Sequence, residues 1–120
     1  SGAVATSISH DSHNIIVVGT NEADMAAAVN RVVELNGGIV VWDSGAPAAE
    51  VPLAIAGIMS DESLATVNGK LETAKEKAFT LGVSRDIDPF MTLSFMALPV
   101  IPTLRITTRG VFDVSQQTYV

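Results

Sequence analysis

The most reactive side chains of this sequence lie in one short run near its start. Residues 10–14 read His-Asp-Ser-His-Asn, include both histidines of the protein, and lead directly into the apolar residues 15–18. Imidazole and carboxylate groups are titratable, and the hydroxyl and amide groups beside them donate and accept hydrogen bonds. Polar side chains at the beginning of a buried strand are often directed into a site. The run is therefore either part of a functional site or an Asx- and Ser-rich turn that leads into a strand.

A hydrolase triad and a metal site are both disfavoured by the spacing within this run. Ser12, His10 and Asp11 are neighbours, and neighbouring side chains of an extended chain point to opposite faces, so they cannot easily align as nucleophile, base and orienting acid. A catalytic zinc needs about three protein ligands, and the sequence has no His-x-His or His-Glu-x-x-His spacing and no cysteine. We predict no metal site in this chain.

A nucleotide-phosphate loop is disfavoured by charge. Residues 19–21 read Gly-Thr-Asn and separate a predicted strand from a predicted helix, which is where phosphate-binding loops occur. Glu22 and Asp24 already place negative charge at the start of that helix. A phosphate would be repelled there.

Length and composition exclude several classes of protein. A chain of 120 residues has the length of one domain and is short for an enzyme that must enclose a substrate alone. An apolar content of 48% excludes intrinsic disorder and predicts an exposed apolar patch, or self-association, where another domain or subunit would provide cover. A net charge of -6 disfavours nucleic acid and anionic membranes as partners, and no apolar run approaches the roughly 18 residues of a membrane span. Without cysteine or a signal-peptide pattern, the cytoplasm is the default location.

The first half of the chain predicts a sheet with one helix. Strands are predicted at residues 4–9, 15–18, 39–42 and 48–53. Asn21 is the predicted N-cap of a helix that ends at Gly37-Gly38, with an inner face formed by Met25, Ala28, Val29 and Val32. The resulting strand, helix, strand unit predicts two parallel strands with a right-handed crossover. Together with a hairpin after residues 43–45, it predicts a mixed sheet.

The second half predicts a longer helix and a terminal hairpin. The helix starts at residues 60–62 and ends at Gly82, with an inner face of Leu64, Val67, Leu71, Ala74, Ala78 and Leu81 and a solvated outer face of Lys70, Glu72, Lys75, Glu76 and Lys77. Residues 88–102 predict a short helix followed by an extended, buried segment. Phe90, Met91 and Phe95 are expected in the core rather than in the wall of a base-binding pocket. Residues 105–107 and 111–114 predict the hairpin. The predicted fold is a single α/β (α+β) domain, with a mixed β-sheet packed with two main helices.

Three segments carry a resemblance to a known family. They are residues 7–19 (SISHDSHNIIVVG), 52–60 (PLAIAGIMS) and 88–102 (DPFMTLSFMALPVIP). In this order they resemble the C-terminal domain of bacterial adenine deaminases, and the resemblance spans almost the whole chain. It implies that residues 1–120 are an accessory domain of such an enzyme.

The resemblance also implies a catalytic core outside this chain. In the family, a metal-dependent barrel of amidohydrolase type converts adenine and water to hypoxanthine and ammonia. The barrel, with its divalent manganese, iron or zinc, has no counterpart in these 120 residues, and a chain that opens directly into a strand resembles a piece of something longer. The isolated chain is expected to be inactive.

The resemblance gives the polar run a role at the barrel mouth. His10, Asp11 and His13 are expected to act as accessory catalytic residues that relay protons, and Ser12 and Asn14 to contact the purine. The expected partners are the barrel of the same polypeptide, adenine, and further copies in a homo-oligomer. Three alternatives stay open: the run organises a domain junction, the chain is a non-catalytic structural or dimerising module, or it is a free-standing small-molecule binding domain.

Overall fold

The computed structural model describes all of residues 1–120, which form seven strands and three helices. In chain order these elements are β1 (Gly2–Thr6), β2 (Ile16–Gly19), α1 (Glu22–Glu34), β3 (Gly38–Asp43), β4 (Ala46–Pro52), α2 (Leu64–Thr80), α3 (Pro89–Ser94), β5 (Leu104–Thr107), β6 (Gly110–Asp113) and β7 (Thr118–Tyr119). They form a single α+β domain with two main helices, as predicted. No helix has the length and apolar character needed to cross a membrane.

The main sheet has the strand order β2-β1-β3-β4, and every neighbouring pair is antiparallel. The prediction of a mixed sheet was wrong. β2 and β3 do run in the same direction, as the strand, helix, strand unit requires, but β1 lies between them and pairs with both. The pattern of residues 15–42 does not show whether another strand lies between β2 and β3. The position of β1 therefore could not be predicted from it.

Helices cover both faces of this sheet. On one face α1 packs Ala28 and Val32 against a cluster that includes Ala3, Ala5 and Val40, while Met25 and Val29 pack at its margin, as predicted. On the other face α2 and α3 bury Ala74, Ala78, Phe90 and Leu93 against Val4, Ile39, Val41 and Val51. Because β1 is covered on both sides, all five of its residues are buried. It is the central strand of the core.

Side-chain caps begin each helix. Asn21 Oδ1 accepts a hydrogen bond of 2.8 Å from the Asp24 amide, which confirms the predicted cap of α1. The start of α2 was predicted too early, because the helix begins at Leu64 and Ser63 is its cap. Leu64 is 85% exposed and therefore not part of the inner face. Ser60 Oγ instead accepts from the Glu62 amide in the turn that precedes the helix.

The C-terminal third differs partly from its prediction. The short helix is present as α3, but residues 95–103 form turns rather than an extended, buried segment, and Val100 is 69% exposed. Local hydrogen bonds hold them, such as the one from the Leu98 amide to the Phe95 carbonyl. The predicted hairpin is confirmed as β5 and β6, and β7 extends it to a three-stranded sheet. With two residues, β7 is too short to show a periodic pattern.

Candidate functional site

The polar run forms a turn between β1 and β2. The His13 amide donates to the Ser9 carbonyl and the Ser12 amide to the His10 carbonyl, each over 2.9 Å. Asp11 and His13 have positive φ angles of 66° and 36°, which non-glycine residues adopt mainly in tight turns. All five residues of the run are exposed. We call residues 10–14 the polar turn.

His10 is the anchored member of the polar turn. Its amide donates over 2.9 Å to the carbonyl of Ser94, and its ring stacks on Phe95 with centroids 4.9 Å apart and an interplanar angle of 28°. Its Nδ1 lies 3.4 Å from Asp11 Oδ1, a distance at which a protonated imidazole forms an ion pair. The side chains of His10 and Asp11 are 48% and 75% exposed, so the pair is fixed at its base and open to a ligand.

The remaining predicted site residues are not drawn together with His10 and Asp11. No hydrogen bond joins the Ser12 hydroxyl to the imidazole of either histidine, so the structure contains no triad. The side chains of His13 and Asn14 make no hydrogen bond within the chain. No group of three or more His, Asp or Glu side chains is placed to hold a metal ion. The donor set of this chain therefore does not fit the divalent metal that the resemblance implies.

An open groove of about 620 Å³ adjoins the polar turn. Its lining includes Ser12 and Asn14 of that turn, residues 15–18, residues 106–108 and Tyr119. Leu93, Met96, Ala97 and Pro99 complete the lining, which contains no charged residue. The sequence did not predict this groove, because its walls come from β2, α3 and the second sheet, which are far apart in the chain.

Apolar side chains are exposed along the groove. Val18 is 53% exposed and Ile106 is 61% exposed, and Ile15, Met96 and Tyr119 are also exposed. This is the exposed apolar patch that the composition predicts. A patch of this kind marks a surface that another group covers.

Aromatic and methionine residues of α3 divide between core and surface. Phe90 is buried in the core, as predicted. Met91 is 59% exposed and does not belong to it. Phe95 is half-buried and supports His10, so its role is neither that of a core residue nor that of a pocket wall.

An ion pair fixes the other end of α3. Lys75 Nζ lies 3.0 Å from Asp88 Oδ2, and Asp88 Oδ1 accepts from the amides of Phe90 and Met91 as the helix cap. Burial acts to raise the pKa of Asp88, but the hydrogen bonds from Met91 and Lys75 together hold it below its ordinary value. The hydrogen bond to Asp88 raises the pKa of Lys75. Lys75 was expected on a solvated face; this expectation was wrong.

Comparison with known proteins identifies the family. A family model described as the adenine deaminase C-terminal domain matches residues 1–118. The chain belongs to this family. Adenine deaminases are similar to it over nearly its whole length: that of Bacillus subtilis (strain 168) is 54% identical over 114 residues. That of Brucella anthropi is 51% identical over 120 residues.

The adenine deaminase C-terminal domain is one part of these relatives. The chain spans 20% of the length of the Bacillus subtilis protein and 21% of that of the Brucella anthropi protein. In the relatives, this region is therefore continuous with a much longer polypeptide.

Proposed function

We propose that this chain is the C-terminal accessory domain of an adenine deaminase and that its polar turn completes the mouth of the active site. The overall reaction is the conversion of adenine and water to hypoxanthine and ammonia. The observation that carries the proposal is the His10-Asp11 pair: the backbone and ring of His10 are held by Ser94 and Phe95 at the end of α3, yet both side chains of the pair are open to solvent. An anchored donor-acceptor pair that is exposed to solvent suits a ligand that another part of the polypeptide presents.

The proposed chemistry of the turn is proton handling and purine recognition. Replacing the amine of a purine by water requires proton delivery to the ring and to the departing ammonia. Asp11 can hold a proton on His10 Nδ1 and leave Nε2 free to face the ligand, while His13 provides a second exchangeable proton. Ser12 and Asn14, at the groove margin, provide donors and acceptors for the purine edge.

The divalent metal belongs, in this proposal, to the remainder of the polypeptide. Manganese, iron or zinc there would supply the activated water of the reaction. The residues of this chain would bind and orient the purine, exclude water and carry protons. Adenine and the barrel of the same polypeptide are the proposed partners, and a homo-oligomeric state and a cytoplasmic location stay predictions.

Alanine substitutions in the full-length enzyme test this proposal. His10→Ala, Asp11→Ala and His13→Ala are each expected to lower adenine turnover by more than about tenfold, or roughly 1.4 kcal/mol, with unchanged metal content. Lys77→Ala is the matched control, because Lys77 is exposed on α2 and forms no ion pair within the chain. Lys75 is not suitable as a control, because it forms an ion pair with Asp88, the residue that caps α3. Normal turnover in all three variants, with lowered melting temperatures, would favour a structural junction.

The isolated chain is expected to show no deaminase activity. Adenine incubated with the 120-residue chain and manganese, iron or zinc should yield no hypoxanthine, because two histidines without further ligands do not hold a catalytic ion. Turnover that disappears in His10→Ala would contradict this expectation and would mean that the chain is itself catalytic.

A structural or dimerising module is the second candidate. The exposed apolar lining of the groove favours it, because such a surface stabilises a neighbour whether or not the polar turn takes part in chemistry. The two candidates differ in one measurable respect. Only the accessory-site proposal requires the His10 variant to lose turnover at unchanged stability.

A further inference from the structure

The two edge strands of the main sheet differ in their protection. β4 contains Pro47, Glu50 and Pro52, and its register with β3 shifts at Val41 and Trp42. Prolines, charges and such irregularities are the features that prevent an exposed edge from pairing with another strand. β2, with the sequence Ile-Val-Val-Gly, contains no proline or charge, and its pairing with β1 shows no irregularity. β2 therefore has the character of a strand that is paired on both sides.

The free edge of β2 presents backbone groups that can form hydrogen bonds. The Thr20 amide donates to the Gly2 carbonyl over 3.0 Å, which marks this opposed pair as hydrogen-bonded. Such pairs alternate along an antiparallel ladder, so the next ones are Val18 with Val4 and Ile16 with Thr6. The N–H and C=O groups of Val17 and Gly19 consequently point away from β1.

The groove lies along this edge. Residues 15–18 all contact it, and because successive side chains of a strand point to opposite faces, a space that touches all four runs along the backbone rather than over one face. Residues 106–108 and Tyr119 also line it. The result is a slot with a mostly apolar, uncharged lining.

We propose that an extended, uncharged segment from the remainder of the adenine deaminase polypeptide enters this slot and adds to β2 as a fifth strand of the main sheet. The inference rests on the proposed function, since it requires that longer polypeptide. Main-chain hydrogen bonds to Val17 and Gly19 would supply affinity, and alternate apolar side chains would lie beside those of β2 on the two faces of the sheet.

Two observations favour this occupant over a second copy of the chain. Ser12 and Asn14 of the polar turn also line the slot, so the segment would lie beside the surface proposed to face the active site. The relatives contain ample additional chain, since this region is only about a fifth of their length.

Amide hydrogen exchange of the full-length enzyme at single-residue resolution tests the pairing. The amides of Val17 and Gly19 are expected to exchange at least about a hundredfold more slowly than unprotected amides, and comparably to those of Ile16 and Val18. Exchange of both at the unprotected rate would overturn the proposal. The measurement does not depend on deaminase activity. A slowly exchanging Val17 amide together with normal turnover in His10→Ala would support the strand pairing and reject the proposed role of the polar turn.

A photo-cross-linking residue in place of Val18 identifies the occupant. The expected product is an intrachain link to a peptide outside residues 1–120. An interchain dimer would assign the slot to a second copy, and a link only to residues of this domain would leave no role for an added segment; either result would overturn the proposal.

A proline variant gives an independent readout. Val17→Pro removes an N–H that a free edge does not need but a paired edge does. It is expected to melt about 2–4 °C below the matched variant Val17→Ala in the full-length enzyme. Equal melting temperatures would show that no strand bonds to Val17.

Discussion

The imidazole of His10 stacks on the phenyl ring of Phe95 with centroids 4.9 Å apart. The backbone carbonyl of the preceding residue, Ser94, accepts a hydrogen bond from the His10 amide. This stack joins the polar turn to the C-terminal end of α3. At the other end of α3, Asp88 caps the helix and pairs with Lys75 of α2. The exposed His10 side chain is thus connected through one short helix to the core.

Removing the stack is expected to impair the full-length enzyme. An aromatic pair contributes about 0.5–1.5 kcal/mol, so Phe95→Ala should lower kcat/KM for adenine by about two- to tenfold if it releases His10. Phe95→Tyr retains the ring and should restore most of the activity. Steady-state kinetics and melting temperatures should be measured together; a lower melting temperature with unchanged kcat/KM in Phe95→Ala would mean that the ring only packs.

Replacing Asp88 by Asn is expected to destabilise the chain in a pH-dependent way. Asn keeps a capping oxygen but loses the ion pair with Lys75, which for partly exposed groups contributes about 0.2–1 kcal/mol at pH 7. The folded-state pKa of Asp88 is lowered, so its ionised form stabilises the fold above the ordinary value of 3.8, and this contribution disappears as the pH falls through the lowered pKa. Thermal unfolding between pH 7 and pH 2 measures the difference from the wild type.

The control for that series is Asp61→Asn, because Asp61 is exposed and makes no ion pair within the chain. It should match the wild type at every pH. If Asp88→Asn were less stable than the wild type by the same amount at every pH down to 2, the loss of stability would not come from the ionised carboxylate.

Two glycine substitutions should change stability in opposite directions. Gly37 has a φ of 115°, and a Cβ there would clash with the Cα of Gly57, so Gly37→Ala should cost about 1–3 kcal/mol or more. Gly69 lies within α2 with open space around it, and Gly69→Ala should gain about 0.5–1 kcal/mol. Urea unfolding of both variants provides the test. If Gly37→Ala were as stable as the wild type, the loop that contains Gly57 would have to move to accommodate the added methyl group.

Local features of this fold could be predicted from the sequence. Asn21 caps α1 and Ala28 and Val32 face the core, because caps and helical periodicity depend on residues a few positions apart. The hairpin of β5 and β6 follows from the residues of its turn. Leu64 was misplaced, since its spacing fits the inner face but it is the first residue of α2 and is 85% exposed.

Features that depend on distant residues could not be predicted. The insertion of β1 between β2 and β3 replaced the expected mixed sheet by an antiparallel one. The polar turn was found because its residue types are rare, but its support by Phe95 and the groove wall at Ile106 depend on contacts across most of the chain. No spacing rule connects such positions.

Histidine-selective chemical labelling of the full-length enzyme tests most directly whether the polar turn faces the substrate. His10 and His13 are the only histidines of residues 1–120, and peptide mapping separates them from those elsewhere in the polypeptide. We predict that diethyl pyrocarbonate modifies at least one of them in the free enzyme and that saturating hypoxanthine, the product, slows this modification several-fold. Modification of both at the same rate with and without hypoxanthine would contradict the placement of the turn at the active-site mouth.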